Sequence, residues 1–247
     1  MFKVLTLNNI AKVGLSRLPA DAYQIGNDIK DPDAILVRSA NMHSGEIASS
    51  LKAVGRAGAG VNNIPVAKMS DRGIPVFNAP GANSNAVKEL VLAGLVLACR
   101  QICEGWDFAR NLEGSDDEIA KAVEAGKKNF AGYELPGRTL GVVGLGAIGR
   151  LVANSAVALG MKVVGFDPGL TVEGAWQLSS AVEKARSLDD VFATSEFLTV
   201  HVPLNDATRK LVSRDRLASM RKGAVIVNFA REGIVDEQAV VDSIDEG

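Results

Sequence analysis

The sequence predicts an α/β protein built on parallel sheets, and three observations carry that prediction. Short β-rich runs alternate with helical patterns along the chain. The strand runs are continuously apolar rather than alternating. One of them, "LGVVGLGAIGR" (140–150), passes into a turn with three glycines and then into a helix. Alternation of this kind argues for parallel strands with helices on both faces, and strands covered on both faces lose the in–out alternation of a half-exposed sheet.

Length and composition set the bounds. A chain of 247 residues accommodates one large domain or two ordinary ones, and a hydrophobic content of 47% supplies a real core. A net charge of −2 and a pI near 5.8 give no footprint for nucleic acid or an anionic membrane. The start "MFKVLTLNN" has neither the charged lead nor the long apolar run of a signal peptide. The longest apolar stretch, "LVLAGLVLAC" (90–99), is half of the roughly 20 residues a bilayer span needs. The expectation is a soluble, cytoplasmic protein with no membrane or nucleic-acid partner. Cys99 and Cys103, four apart on an expected helix, are read as two small buried side chains on one face. With His43 and His201 as the only histidines, no metal site is expected.

In order, "KVLTLN" (3–8), "AILVRSA" (34–40), "KAVGRAG" (52–58) and "IPVFNAP" (74–80) read as strands, with "SGEIASSL" and "IPVAKMSDRG" as short helices between them. Gly73 is the expected stop for the second. One long helix is expected from about Asn83 to Asn111, and the polar stretch from Glu113 to Lys128 reads as a solvated surface region. "ELPGRT" (134–139) is a turn that launches a second α/β unit with strands "TLGVVG", "KVVGFD", "FLTVHV" and "AVIVNF" and a helix that stops at Gly160. Two domains are expected, 1–82 and 83–247.

Each glycine of the turn has a physical reason in a dinucleotide site. Gly144 allows the tight turn, Gly146 lets the backbone approach a pyrophosphate, and Gly149 lets helix and strand pack closely. Free N–H groups and the dipole at the helix N-terminus attract the phosphates. Asp167 ends the next strand, eighteen residues beyond Gly149, where a carboxylate accepts the adenosine ribose hydroxyls. That charge repels a 2′-phosphate, and "FDPGL" offers no arginine to receive one, so the expected cofactor is NAD rather than NADP.

"VVGLGAIGR", "VVGFDP", "TVHVPLNDATRKLV" and "GAVIVNFAREGIVDEQAV" together resemble the NAD-dependent D-2-hydroxyacid dehydrogenases. "ILVRSA", "VGRAGAGVNNIPV" and "NAPGANSNAVKELVLAGLVLACRQI" narrow the resemblance to members that oxidise 3-phospho-D-glycerate at the entry to serine synthesis. The resemblance implies a Rossmann-type cofactor domain plus a smaller flavodoxin-like parallel-sheet substrate domain, with the reaction in the cleft between. It also implies a homodimer or homotetramer formed through the cofactor domain, the long helix after Asn83 contributing.

The same resemblance assigns roles. Arg231 in "NFAREG" matches the catalytic arginine, and the chemistry wants one: a guanidinium holds the planar carboxylate of a 2-oxo acid with paired N–H bonds and polarises the neighbouring carbonyl. Arg38, with Ser39 beside it, and Arg56 match positions that collect positive charge for the substrate phosphate. Gly58 to Gly60, with Ala59 and Gly60 as contacts, offer backbone N–H groups, and Asn83 matches a polar position at the domain junction. Ala147 and Ile148 are expected over the pyrophosphate. Val202 and Pro203 flank the adenine and ribose side, with His201 and Thr208 nearby. Phe229 and Ala230, beside Arg231, line the nicotinamide approach. In the family the position of His201 is not the proton donor.

The resemblance also marks a departure. The family's proton-accepting histidine and the glutamate that orients it lie beyond the "VDE" segment, and no residue of this chain is assigned either role. The expectation is therefore a C-terminally truncated phosphoglycerate-oxidising enzyme that binds the cofactor but turns over poorly. Two alternatives stay open: a dehydrogenase of another D-2-hydroxy acid, and a non-catalytic NADH-sensing binding protein.

Overall fold

The computed structural model describes residues 1–246, which divide into two compact units, Met1–Asn83 and Ser84 onward. The first contains β1 (Phe2–Leu7), α1 (Lys12–Leu15), β2 (Tyr23–Gly26), β3 (Ala34–Val37), β4 (Ala53–Arg56), α2 (Val66–Asp71) and β5 (Val76–Phe77). Its five strands are parallel in the order β2-β1-β3-β4-β5, the flavodoxin-like arrangement. Val37, Val54 and Met69 are fully buried and, with Leu51, Ile64 and Ile74, form its core. The helix α2 ends where expected, Gly73 taking φ +67° and the Ile74 amide returning to the Met69 carbonyl at 2.9 Å.

The expected helix over "SGEIASSL" does not form; the segment is a series of bends and turns. Its carbonyls are committed elsewhere: Arg72 donates from the end of α2 to the oxygens of Ile47 (2.6 Å) and Ala48 (3.2 Å). An eight-residue stretch has too little helical cooperativity to compete with such partners. β2 and α1 carry no continuous apolar run, and the sequence reading missed both.

The second unit begins with α3 (Ser84–Arg100), α4 (Ile102–Arg110) and α5 (Asp116–Gly126), followed by a 3₁₀ turn over Lys127–Phe130. The single long helix expected here is broken at Gln101, which is left-handed with φ 46° and ψ 42°. The break follows from docking of the segment 131–133. The Tyr133 amide donates to the Cys99 carbonyl at 2.9 Å, and the Gln101 side chain donates to the Ala131 carbonyl at 3.0 Å. A β-carbon on Gly132 would lie 2.1 Å from the Cys99 oxygen, so only glycine permits the approach. The break also separates the cysteines: Cys99 is buried and Cys103 is exposed, not both buried on one face.

Within the polar stretch 113–128, residues Asp116–Gly126 form α5. Ser115 and Glu118 make a capping box, the Ser115 amide and hydroxyl both donating to Glu118 Oε2 at 2.8 and 2.7 Å. Those two bonds hold the Glu118 carboxyl below its ordinary pKa. The S-x-x-E signature was present in the sequence as "SDDE".

The remaining elements alternate: β6 (Thr139–Val143), α6 (Ala147–Ala158), β7 (Lys162–Phe166), α7 (Val172–Trp176), β8 (Val182–Lys184), α8 (Leu188–Thr194), β9 (Phe197–Val200), α9 (Arg214–Ser219), β10 (Val225–Val227) and α10 (Glu237–Glu246). The strands are all parallel in the order β10-β9-β6-β7-β8, the Rossmann order extended outward from β6. One face is packed by Val91, Leu95, Val152 and Ala156 of α3 and α6, the other by Val191, Phe192 and Ile234. All four residues of β9 are buried, as a strand covered on both faces requires. Among the described residues no helix is long and apolar enough to cross a membrane.

At the base of the sheet, Glu196 ties β6 to β9. Arg138 Nη1 donates to its Oε1 at 2.8 Å and the Thr139 amide to its Oε2 at 3.0 Å. Arg138 first, then the Thr139 amide, hold the carboxyl below its ordinary value. A depressed folded pKa means stabilisation that is present above the unfolded value near 4.3 and lost as pH falls through the folded one. Glu196→Gln should therefore cost about 1–2 kcal/mol at pH 7. Urea melts of both proteins across pH 3–7 should show that gap closing in acid.

Candidate functional site

The glycine turn sits at the topological switch of the second sheet, where β6 has β7 on one side and β9 on the other, the place where open parallel sheets receive ligands. Steric contacts assign its glycines different jobs. Gly144 has φ +90°, and a β-carbon there would lie 2.6 Å from the His201 carbonyl oxygen. On Gly149 it would lie 1.9 Å from the Gly144 oxygen, so α6 could not start against the turn with any side chain there. Gly146 differs. It is exposed, its φ of −67° suits any residue, and a β-carbon there would meet nothing within 4 Å. Open space lies over this residue, directly before α6. Ala147 is exposed and Ile148 half-buried; their amides and that of Gly149 belong to the first turn, which has no intrahelical acceptor. Amides, helix dipole and clearance together fit a bound diphosphate.

Asp167 stands at the end of β7, next to this turn. Its Oδ2 accepts from the Leu145 amide and its Oδ1 from the Gly169 amide, both at 2.8 Å. The carboxylate is therefore already fixed on the turn it was expected to serve, with one further lone pair on each oxygen for hydroxyl donors.

His201 continues β9 beside Gly144, its amide donating to the Val143 carbonyl at 2.7 Å. Its Nε2 lies 3.0 Å from the buried Thr199 hydroxyl, and its Nδ1 is buried with no partner among the described residues. Burial depresses its pKa to about 4, so the ring is neutral near pH 7. Val202 packs over Gly144, where its Cγ1 would be 2.9 Å from an added β-carbon. In the following loop Pro203 is exposed. Thr208 is occupied within that loop: its hydroxyl donates to the Pro203 carbonyl at 2.5 Å and accepts from the Asn205 amide at 2.9 Å.

Beyond β10 the chain turns on Asn228, whose Oδ1 accepts from the Ala230 amide at 3.0 Å and whose Nδ2 donates to the Arg231 carbonyl at 3.3 Å. Phe229 is 41% exposed and rests on Gly94 of α3, where an added β-carbon would be 3.4 Å from its ring. Ala230 is half-buried, and Arg231 is exposed, one Nη1 donating to the Ala230 carbonyl at 2.9 Å. The second unit thus gathers Gly144, Gly146, Asp167, His201 and Arg231 along the carboxyl ends of β6, β7, β9 and β10.

In the first unit the corresponding edge carries Arg38, Ser39 and Arg56. Arg38 and Ser39 are exposed after β3. The Ser39 and Ala40 amides donate to Asn8 Oδ1 at 2.8 and 2.5 Å, Asn8 itself being left-handed with φ 68°. Arg56 ends β4 and folds over Gly58, whose added β-carbon would overlap its Nη1 at 1.7 Å. The Ala59 carbonyl accepts from Asn78 Nδ2 at 2.7 Å, with Gly60 half-buried beside it. Asn83 is exposed. The sequence reading did not single out Asn8, Asn78 or Asn228. Each follows a strand directly, but only Asn228 closes a local turn, the signal sequence can carry; Asn8 and Asn78 bond to residues distant in the chain.

Comparison with known proteins places this geometry. Residues 103–247 match the D-isomer specific 2-hydroxyacid dehydrogenase family, NAD binding domain. The chain is 41% identical to a D-3-phosphoglycerate dehydrogenase of Methanocaldococcus jannaschii over 89% of its own length and 40% of that protein's. It is 38% identical to a hydroxypyruvate reductase of Thermotoga maritima over 89% of its length and 67% of the relative's. Against most of the curated relatives it matches, the chain spans about two fifths of their length. In three dimensions it is similar to the holo form of D-mandelate dehydrogenase from Rhodotorula graminis, with TM-score 0.79 and 26% identity over 100% of this chain and 78% of that one. The chain belongs to the D-isomer specific 2-hydroxyacid dehydrogenases, and its second unit carries their NAD-binding domain.

Proposed function

We propose that this chain binds NAD at the 144–149 turn and serves the oxidation of 3-phospho-D-glycerate to 3-phosphohydroxypyruvate, in a cytoplasmic homo-oligomeric enzyme of serine synthesis. The observation that carries the cofactor part is the clearance over Gly146 in front of the first-turn amides of α6, which no side chain of the N-cap residue caps. The substrate part rests on relatives named D-3-phosphoglycerate dehydrogenase and on two arginines at strand ends of the first unit. Exposed Leu90, Leu97, Ile102 and Trp106 on α3 and α4 support self-association.

The residues take the following roles. Gly144, Gly146, Ala147, Ile148 and Gly149 hold the diphosphate. Asp167 holds the adenosine ribose and disfavours a 2′-phosphate. His201, Val202, Pro203 and Thr208 bound the adenine side, with Phe229 and Ala230 toward the nicotinamide. NAD, when bound, supplies the hydride acceptor. Arg231 grips the substrate carboxylate and stabilises negative charge on the C2 oxygen. Arg38, with Ser39 beside it, and Arg56 receive the substrate's phosphate end; the turn with Ala59 and Gly60 offers amides to its carboxylate or carbonyl oxygen, and Asn83 is a further polar contact. His201, neutral and buried, packs the turn and moves no proton near pH 7. A second reading, a dehydrogenase for an unphosphorylated hydroxy acid, is favoured by the hydroxypyruvate reductase relative.

Three outcomes test this assignment. Gly146→Val should fold as well as the parent and lose NADH affinity by about tenfold or more, whereas Gly149→Ala should fail first in a thermal melt; equal NADH binding by Gly146→Val would remove the turn from the site. With NADH present, 3-phosphohydroxypyruvate should bind more tightly than hydroxypyruvate. Arg38→Ala or Arg56→Ala should abolish that preference, and equal affinities in the parent would favour the second reading. His201, whose folded pKa lies below its unfolded 6.5, removes stability as pH falls from about 6.5 toward 4, by up to about 3 kcal/mol. Replacing it with Gln should flatten the stability profile in that window.

A further inference from the structure

The residue between the first two glycines, Leu145, is held on both of its peptide groups by side chains of opposite charge. Its N–H donates to Asp167 Oδ2 at 2.8 Å, and its C=O accepts from Arg150 Nη1 at 3.3 Å. Its own side chain is buried over β7, where an added β-carbon on Gly165 would lie 2.9 Å from Leu145 Cδ1. Arg150 reaches this carbonyl from the fourth position of α6. Its guanidinium fills the space between the turn and α7: a β-carbon on Gly174 would lie 2.9 Å from Arg150 Nη1. Its Nε is buried and faces no acceptor among the described residues, and the bond to the turn is made by Nη1.

We infer that Arg150 is a positioning residue for the cofactor: with Asp167 it clamps the Leu145 peptide, so that the turn presents its amides to a diphosphate already in the binding geometry. The inference rests on the proposed NAD site and extends it. A turn of glycines is intrinsically loose, because glycine has the widest backbone freedom to lose. Ordering such a segment on binding subtracts from affinity, and fixing it beforehand restores that loss. Asp167 alone restrains one side of the peptide. Arg150 restrains the other, through a charged donor. The role differs from receiving a phosphate, because the bond recorded for the group goes to the protein's own carbonyl.

The test compares the parent with Arg150→Met, Arg150→Lys and Gly174→Ala, titrating each with NADH, ADP and adenosine by calorimetry. Arg150→Met keeps the stem and removes the donor. It should weaken NADH and ADP about tenfold and leave adenosine, which has no diphosphate, unchanged. Arg150→Lys should recover part of the loss, and Gly174→Ala, whose β-carbon would crowd the guanidinium first and then Leu170 and the Thr171 hydroxyl, none of them in the turn, should reproduce it. If Arg150→Met does not fold, the Gly174→Ala and Arg150→Lys titrations decide alone. Parent-like ADP affinity in Gly174→Ala and Arg150→Met overturns the inference. So does an equal loss for adenosine, which would mean general damage to the unit. A parent chain that binds neither NADH nor ADP instead overturns the cofactor site itself.

Discussion

The 1.9 Å between the Gly144 carbonyl oxygen and the place where a side chain would begin on Gly149 is the constraint on which the second unit turns. It forces α6 to start in backbone contact with the end of β6. From that contact follow the direction of α6 across the sheet, the burial of Val152 and Ala156 against Leu140 and Val142, and the aim of the first helical amides. The same tightness brings the His201 carbonyl against Gly144 and so fixes the spacing of β6 and β9 at the switch of strand order. Gly146, between the two, is free of contact. A turn that is crowded at its ends and open in its middle is a cradle for a ligand rather than only a packing device.

Charge is arranged around that cradle in a way that suits an anion and a sugar. Asp167 is the nearby carboxylate, and its fixed hydrogen bonds to Leu145 and Gly169 locate it before any ligand arrives. The imidazole of His201, by contrast, is stripped of charge by burial. Arg231 projects from an Asx turn on Asn228 after β10, a backbone setting that orients a cation without neutralising it. The proposed functions, dinucleotide binding and carboxylate recognition, draw on side chains at the ends of four neighbouring strands.

Much of this was readable in the sequence, for a physical reason. Central strands such as "TLGVVG" and "FLTVHV" are buried on both faces and so show as unbroken apolar runs, and the turn admits only glycine at 144 and 149. The missed parts are those governed by tertiary partners or by exposure. Edge strands β2 and β8, "YQIG" and "VEK", are partly exposed and carry no apolar signature. The break at Gln101 comes from the docking of residues 131–133, which no local propensity encodes. The absence of a helix over "SGEIASSL" reflects Arg72 capturing its carbonyls from another element. The capping box of Ser115 and Glu118 was legible but was outweighed by the charge around it. Asn8, Asn78 and Arg150 act through contacts that join distant positions, so residue type alone did not mark them.

The central claim is that the 144–149 turn is a working NAD site, and calorimetric titration of the 247-residue chain addresses it most directly. The account requires saturable, one-to-one binding of NADH, with NADPH at least about tenfold weaker because Asp167 opposes its extra phosphate. Folded protein that takes up neither nucleotide, or that takes up both equally, contradicts it.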